Sequence, residues 1–287
     1  MVIPPRSAYV HIPFCHKRCF YCDFSIIPLG DSAETSGSPG INSINGYLDL
    51  LNREISIAPQ GPVLSTIYLG GGTPSLLNKD QLGDLLENLH KKFGIQDGAE
   101  ITMEVDPATF SEHDLQGYTE IGINRLSLGG QSFDDRTLAS IGRKHNNSEL
   151  IQACNWVNEL FKKGILRSWS LDLIQNLPGI NLFKWLKELE QAVQSEAPHL
   201  SIYDLTIEPE TVFGRMHQKG KLNIPIESVA QKIDLETNKY LKSRGFSRYE
   251  ISSFSLPGHA SRHNRMYWSG SGWWGFGMGA TSAPWGQ

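Results

Sequence analysis

Three of the four cysteines lie on one short stretch of the chain. Cys15, Cys19 and Cys22 have C-x3-C-x2-C spacing within the segment HIPFCHKRCFYCDF. A tight cysteine group in a cysteine-poor chain is typical of a metal site rather than a disulfide framework. Three thiolates around a four-iron cluster leave one iron open to a small molecule. The alternative is a structural zinc site with His11 or His16 as the fourth ligand.

Further chemistry-bearing residues follow strand-like runs. The segment Gly70-Gly71-Gly72-Thr73-Pro74 closes one run, and Glu104 closes the next. Glycines let a backbone approach a ligand closely. A carboxylate such as Glu104 can hold an ammonium group or ribose hydroxyls, or it can cap the following turn. Gln131 follows a later run, and Asp172 lies inside an apolar one. A charge in that position is costly unless it is paired or functional.

The elements that position these residues alternate along the chain. The strand candidates are Ala8–Ile12, Thr66–Leu69, Glu100–Val105, Arg125–Leu128, Trp169–Ile174 and Leu200–Leu205. Helical periodicity covers Tyr47–Ile57, Gln81–Phe93, Leu150–Phe161 and Leu182–Val193. Repeated strand–helix units predict an α/β fold with a parallel sheet. Six units favour a partial (β/α)6 TIM-like barrel, whose site lies at the carboxyl ends of the strands.

Two regions break this alternation. Pro28–Asn45 is rich in Ser, Gly and Pro, which predicts a flexible loop. The second region begins after residue 205, where the pattern becomes irregular and contains one predicted helix, near Ile226–Arg244. We therefore expect a barrel domain over residues 1–205 and a smaller C-terminal segment over residues 206–287.

Composition excludes several classes of partner. Of the 287 residues, 39% are hydrophobic, and the net charge is −4. This charge gives no reason to expect nucleic acid or an anionic membrane. No apolar run reaches the ~18 residues of a membrane span, and the first residues are too few and too polar for a signal peptide. We expect a cytoplasmic protein, or alternatively a mature form in an organelle matrix or stroma.

The cysteine loop, preceded by Tyr9-Val10-His11-Ile12-Pro13-Phe14, resembles that of the coproporphyrinogen III oxidase-like family of radical S-adenosylmethionine (SAM) proteins. The resemblance implies a [4Fe-4S] cluster on Cys15, Cys19 and Cys22, with SAM on the open iron. It implies a one-electron donor such as flavodoxin or ferredoxin. The positions implied to touch the cluster-bound SAM are Tyr9, Gly71, Glu104 and Gly72. Those implied to line the neighbouring pocket for SAM are Tyr21, Thr73, Gln131, Arg143 and Asp172.

Two motifs separate the branches of that family. Phe24 stands where the oxidase branch carries a further cysteine, and the segment Arg262–Trp268 contains H-N-x-x-Y-W. Both features resemble the heme-chaperone branch (HemW), which implies His263 as a heme ligand, a heme-acceptor protein as partner, and allows a homodimer. Relatives continue past residue 280, so the resemblance implies an incomplete C-terminal domain. The alternative is oxygen-independent oxidative decarboxylation of coproporphyrinogen III. Radical SAM chemistry on an unrelated substrate is a third reading.

Overall fold

The structure is a computed structural model that describes residues 5–30 and 38–284. It divides into two compact units. Unit 1 comprises Met1–Lys17, Phe24–Leu126 and Ser261–Gln287, and unit 2 comprises Arg18–Asp23 and Ser127–Ala260. Residue 205, where we expect the boundary between the barrel domain and the C-terminal segment, lies within the range of unit 2, and that domain division stays a prediction.

The strands in chain order are β1 (Ser7–Ile12), β2 (Phe14–Cys15), β3 (Ile27–Pro28), β4 (Leu64–Gly71), β5 (Ile95–Val105), β6 (Arg125–Gln131), β7 (Ser168–Gln175), β8 (His199–Asp204), β9 (Ser247–Arg248), β10 (Ser253–Ser255) and β11 (Trp274–Phe276). In unit 1 the strand order is β11-β1-β4-β5, and all three pairings are parallel. In unit 2, β7 pairs with β8 in parallel, and β10 then pairs antiparallel with both β8 and β9.

The helices are α1 (Pro39–Ile57), α2 (Lys79–Phe93), α3 (Glu112–Glu120), α4 (Asp135–Ser140), α5 (Asn147–Lys162), α6 (Leu182–Gln194), α7 (Val212–Gln218), α8 (Glu227–Ser243) and α9 (Arg262–Trp268). Most begin at a side-chain cap; Asn78, Ser111 and Asn146, for example, each form a capping box with the residue three positions on. No helix in the described ranges has both the length and the apolarity that crossing a membrane requires.

The loop predicted over residues 28–45 is wrong in its second half. Ser38 accepts a hydrogen bond from the Ile41 amide, Pro39 occupies the first turn, and α1 buries Ile44. A serine cap followed by proline starts a helix, and these signals outweigh the Ser/Gly/Pro composition. Residues 31–37 of the predicted loop lie outside the described residues.

Strand β7 shows how the core positions the site. All eight of its residues are buried, as expected of a parallel strand covered on both faces. Because side chains alternate along a strand, Trp169, Leu171 and Leu173 pack on one face. Ser170 and Asp172 share the opposite face, so the sequence places a polar pair inside the fold.

Candidate functional site

In unit 1, the first cysteine of the motif has a hydroxyl donor beside it. Cys15 ends β2, and the Thr73 hydroxyl donates to its Sγ at 3.4 Å. Thr73 is 8% exposed and follows directly on the glycine segment after β4. A hydrogen-bond donor stabilises negative charge on sulfur. The environment of Cys15 therefore fits a metal-bound thiolate.

The glycine segment packs against a carboxylate from the next strand. Glu104 accepts a hydrogen bond from the Gly71 amide at 3.0 Å and from the Tyr68 hydroxyl at 2.9 Å. Gly71 has φ +116°, and a Cβ there would lie 2.5 Å from the His11 ring. A Cβ on Gly72 would lie 2.6 Å from the Phe14 carbonyl oxygen. Glycine is thus required at both positions, because a side chain would displace the segment from His11 and from the Phe14 backbone.

Tyr9 and His11 form a neutral pair on β1. The His11 Nε2 donates to the Ser25 carbonyl at 2.8 Å, so Nδ1 accepts from the Tyr9 hydroxyl at 3.0 Å. Burial lowers the pKa of His11 and raises that of Tyr9. Tyr9 thus faces the ring of His11 as a hydrogen-bond donor.

In unit 2, Arg143 approaches the second cysteine of the motif. Its Nη1 lies 3.8 Å from the Cys19 Sγ, and its Nη2 donates to the Gly129 carbonyl at 2.8 Å. Tyr21 lies on the same loop, where burial and then the charge of Cys19 raise the pKa of its phenol. An arginine in this position can donate a hydrogen bond to a sulfur that binds a metal centre.

Gln131 ends β6 in an unusual backbone conformation. Its φ is +65°, a region that residues other than glycine adopt at a cost and that recurs at ligand-binding positions. The turn that follows is anchored by Glu188 on α6, which accepts from the Ser132 hydroxyl at 3.0 Å and from the Phe133 amide at 2.6 Å. Glu188 was missed from the sequence because it lies within an ordinary amphipathic helical pattern.

Asp172 is held by two serines. The Ser127 hydroxyl on β6 donates to Oδ2 and the Ser170 hydroxyl on β7 donates to Oδ1, each at 2.7 Å. Asp172 is 8% exposed. A buried charge is expected to be paired or functional. The two serine hydroxyls pair the Asp172 carboxylate through hydrogen bonds.

His263 lies fully buried at the start of α9, in unit 1. Because the Thr66 hydroxyl donates to Ser7, the His263 Nδ1 must donate to Thr66, at 2.8 Å. The Nε2 then accepts from the Tyr267 hydroxyl at 3.0 Å. Burial lowers the pKa of His263 to about 3, so its ring is neutral. The nitrogen lone pair that a heme iron needs is therefore bonded to Tyr267 in this conformation.

Helix α9 is fixed by a residue that the sequence did not single out. Glu100 on β5 accepts from the Ser261 hydroxyl at 3.2 Å and from the amides of Arg262 and His263 at 3.0 and 2.9 Å. Ser261 in turn caps the Asn264 amide. The first three amides of α9 are thus all satisfied.

The two units contain different parts of the predicted site. Cys15, Thr73, the glycine segment and Glu104 belong to unit 1, whereas Cys19, Cys22, Arg143 and Asp172 belong to unit 2. Among the described residues, no group of three or more His, Cys, Asp or Glu side chains is arranged to hold a metal ion. The ligand set of three cysteines therefore stays a prediction from the motif.

Comparison with known proteins places the chain in a family. Residues 9–192 match the model of the Radical SAM superfamily. The heme chaperone HemW of Synechocystis sp. is 42% identical over 97% of this chain, and that of Escherichia coli is 36% identical over 97% of it. The chain belongs to the radical SAM superfamily and, within it, to the HemW family. Membership of the superfamily implies a [4Fe-4S] cluster and SAM, and the donors beside Cys15 and Cys19 fit such a cluster.

A solved structure of the same superfamily has the same fold. The coproporphyrinogen III oxidase (HemN) of Escherichia coli matches 98% of this chain with a TM-score of 0.81 and 27% identity. The archaeal Elp3 of Methanocaldococcus infernus matches at a TM-score of 0.52 and 17% identity, which is a likeness of fold alone. The chain spans 66% of the Synechocystis relative's length, 70% of the Escherichia coli chaperone's and 65% of the oxidase chain.

Proposed function

We propose that this protein binds heme and passes it to an acceptor protein, with a SAM-coordinated [4Fe-4S] cluster as resident cofactor. The observation that carries the proposal is the match to proteins named heme chaperone HemW, at 36–42% identity over 97% of this chain. Phe24, which is 59% exposed, stands where the oxidase branch has a cysteine. Cytoplasmic location, a flavodoxin or ferredoxin as electron donor, and a homodimer belong to the same proposal.

The residues of the cysteine loop have distinct roles in this proposal. Cys15, Cys19 and Cys22 supply the thiolates, and the bound cluster supplies one-electron chemistry toward SAM. Thr73 and Arg143 donate to the sulfurs of Cys15 and Cys19. Such donors tune the potential of an iron–sulfur centre.

The residues proposed to bind SAM also have distinct roles. Gly71 and Gly72 keep the backbone close, Glu104 accepts from amide or ammonium donors, and Tyr9 presents a hydroxyl. Tyr21, Gln131 and Asp172 provide further polar groups for SAM. Support for these roles comes from the glycine geometry, the left-handed backbone of Gln131 and the hydrogen bond that Ser127 donates to the buried Asp172.

We assign the heme iron to the Nε2 of His263. The ring is neutral and carries its proton on Nδ1, so Nε2 has the lone pair that an axial ligand needs. The partner to be displaced is the Tyr267 hydroxyl, on a residue that is 36% exposed. Heme binding therefore requires Tyr267 to release His263.

The first test separates the chaperone from the oxidase, which the fold match to HemN keeps as the second candidate. The protein is reconstituted anaerobically with iron and sulfide. It is then given SAM, a reductant and coproporphyrinogen III, and tetrapyrroles are separated by chromatography. We expect no decarboxylated product, together with stoichiometric heme binding and release to apoprotein. Formation of protoporphyrinogen would overturn the chaperone assignment.

The heme ligand is tested with a variant that spares the buried imidazole. Tyr267→Phe removes the hydroxyl from Nε2 and keeps the aromatic ring against Trp273. We expect tighter heme binding, by about ten-fold for one net hydrogen bond, measured by absorbance titration. Trp268→Phe, on an exposed neighbour, is the matched control. Unchanged or weaker heme binding in Tyr267→Phe would remove His263 as the ligand.

A further inference from the structure

A continuous hydrogen-bond chain in unit 2 ends on Asp172. The Ser170 hydroxyl donates to the Asp172 Oδ1 at 2.7 Å, and the His199 Nδ1 lies 2.8 Å from the Ser170 Oγ. The His199 Nε2 lies 2.8 Å from the Tyr249 hydroxyl. The pairing of β7 with β8 sets Ser170 opposite His199. Neighbouring strands therefore build the chain, and no long loop is needed.

With a neutral imidazole at His199, the direction of every proton in this chain follows from valence. A serine hydroxyl has one proton, and Ser170 gives it to the carboxylate. The His199 Nδ1 must therefore be protonated and donate to Ser170, as must the Ser201 hydroxyl, 3.0 Å from the same oxygen. The His199 Nε2 then accepts from Tyr249. All donors point toward Asp172.

Burial makes the arrangement rigid. Ser170, His199 and Ser201 are 1–3% exposed. At such positions a polar group that loses its partner is costly, and connected hydrogen bonds strengthen one another. Because Ser170 gives its proton to Asp172 and receives one from His199, it is not an activated nucleophile. The chain serves to fix the carboxylate.

We infer that His199 is a positioning residue for Asp172, acting through Ser170. It orients the carboxylate toward the group that Asp172 binds in the SAM pocket, so the inference rests on the SAM role proposed for Asp172. A carboxylate has about four acceptor positions. Ser127 and Ser170 each donate to one of its two oxygens, which fixes the plane of the carboxylate.

The test compares variants by SAM affinity, measured by anaerobic calorimetry on reconstituted protein of matched iron content. His199→Leu removes the donor to Ser170, and Ser170→Ala breaks the link with a smaller change. We expect each to weaken SAM binding about ten-fold, the equivalent of one net hydrogen bond. The His199→Asn variant should bind SAM within about three-fold of the unsubstituted protein, because the asparagine amide nitrogen can take the position of Nδ1. Ser243→Ala, on an exposed serine of α8, is the control.

A double variant distinguishes positioning from a general loss of structure. Asp172→Asn combined with His199→Leu should bind SAM no more weakly than Asp172→Asn alone, because the effect of His199 passes through Asp172. Additive losses, or failure of His199→Asn to restore binding, would overturn the inference. So would an Asp172→Asn variant with unchanged affinity. Heme binding and coproporphyrinogen turnover on the same samples report separately on the proposed function.

Discussion

The helix that carries His263 depends on one buried carboxylate, which gives a sharp prediction. Glu100 is 7% exposed and accepts three hydrogen bonds at the start of α9, two of them from backbone amides. Glu100→Ala removes all three acceptor contacts and leaves the amides of Arg262 and His263 without a partner. A seven-residue helix is too short to be stable alone. We therefore expect α9 to open locally in this variant.

The expected loss of stability in α9 follows from the two hydrogen bonds that backbone amides donate to Glu100. A hydrogen bond to a charged group contributes about 1.5–3 kcal/mol, and two at the lower limit give roughly 3 kcal/mol. A loss of 1.4 kcal/mol is tenfold in an equilibrium constant, so amide exchange in α9 should accelerate by about a hundred-fold. Glu100→Gln retains an acceptor oxygen and should show a much smaller acceleration.

The assay is hydrogen exchange followed by mass spectrometry, which reports local opening. Peptides covering α9, in the same unit as Glu100, are compared with peptides covering α5, in unit 2. Glu190→Ala, an exposed glutamate on α6, is the control. If α9 exchanges less than five-fold faster in Glu100→Ala, Glu100 is not what holds the helix. If α5 accelerates equally, the variant has unfolded globally and the local argument fails.

Two further predictions concern the cysteine loop and the turn after β6. Thr73→Val removes the donor to the Cys15 Sγ, so the cluster potential should fall by about 20–60 mV, the equivalent of about 0.5–1.5 kcal/mol; a potentiometric titration followed by electron paramagnetic resonance checks this, and an unchanged potential would contradict it. Burial raises the pKa of Glu188 above its usual 4.5. The folded state thus binds this proton more tightly than the unfolded state, so stability falls as the pH rises from about 4.5 through the raised pKa. Glu188→Gln should lack that decline in urea unfolding, and an identical pH profile would show that another group causes it.

Much of the fold was predictable because local patterns determine it. All six predicted strands and all five predicted helices are present, with shifted ends. Apolar periodicity reports which face of an element is buried, and that is a local property. The start of α1 was also readable, since Ser38 and Pro39 form a cap and first turn. At this position the cap and the proline are stronger signals than the composition.

The features that local sequence patterns do not indicate depend on contacts between residues far apart in the chain. The pairing of β11 with β1 adds the Gly- and Trp-rich tail to unit 1, and no local signal in the tail indicates it. The contact between Glu100 and α9 joins residues more than 160 positions apart. Glu188 likewise acts on a turn 55 positions away. The sequence shows such carboxylates as ordinary strand or helix residues.

Two buried histidines share one hydrogen-bonding pattern but differ in what it controls. In both His199 and His263 the Nδ1 donates to a hydroxyl, and with a neutral ring the Nε2 accepts from a tyrosine. From His199 the bonds continue through Ser170 to a carboxylate, so moving the imidazole disturbs a charged group. From His263 they continue through Thr66 to the neutral Ser7 hydroxyl. Displacing the tyrosine from His263 therefore exposes a lone pair without disturbing a buried charge. For this reason we assign the heme-iron ligand to His263, whose Nε2 can exchange Tyr267 for iron, and the positioning role to His199.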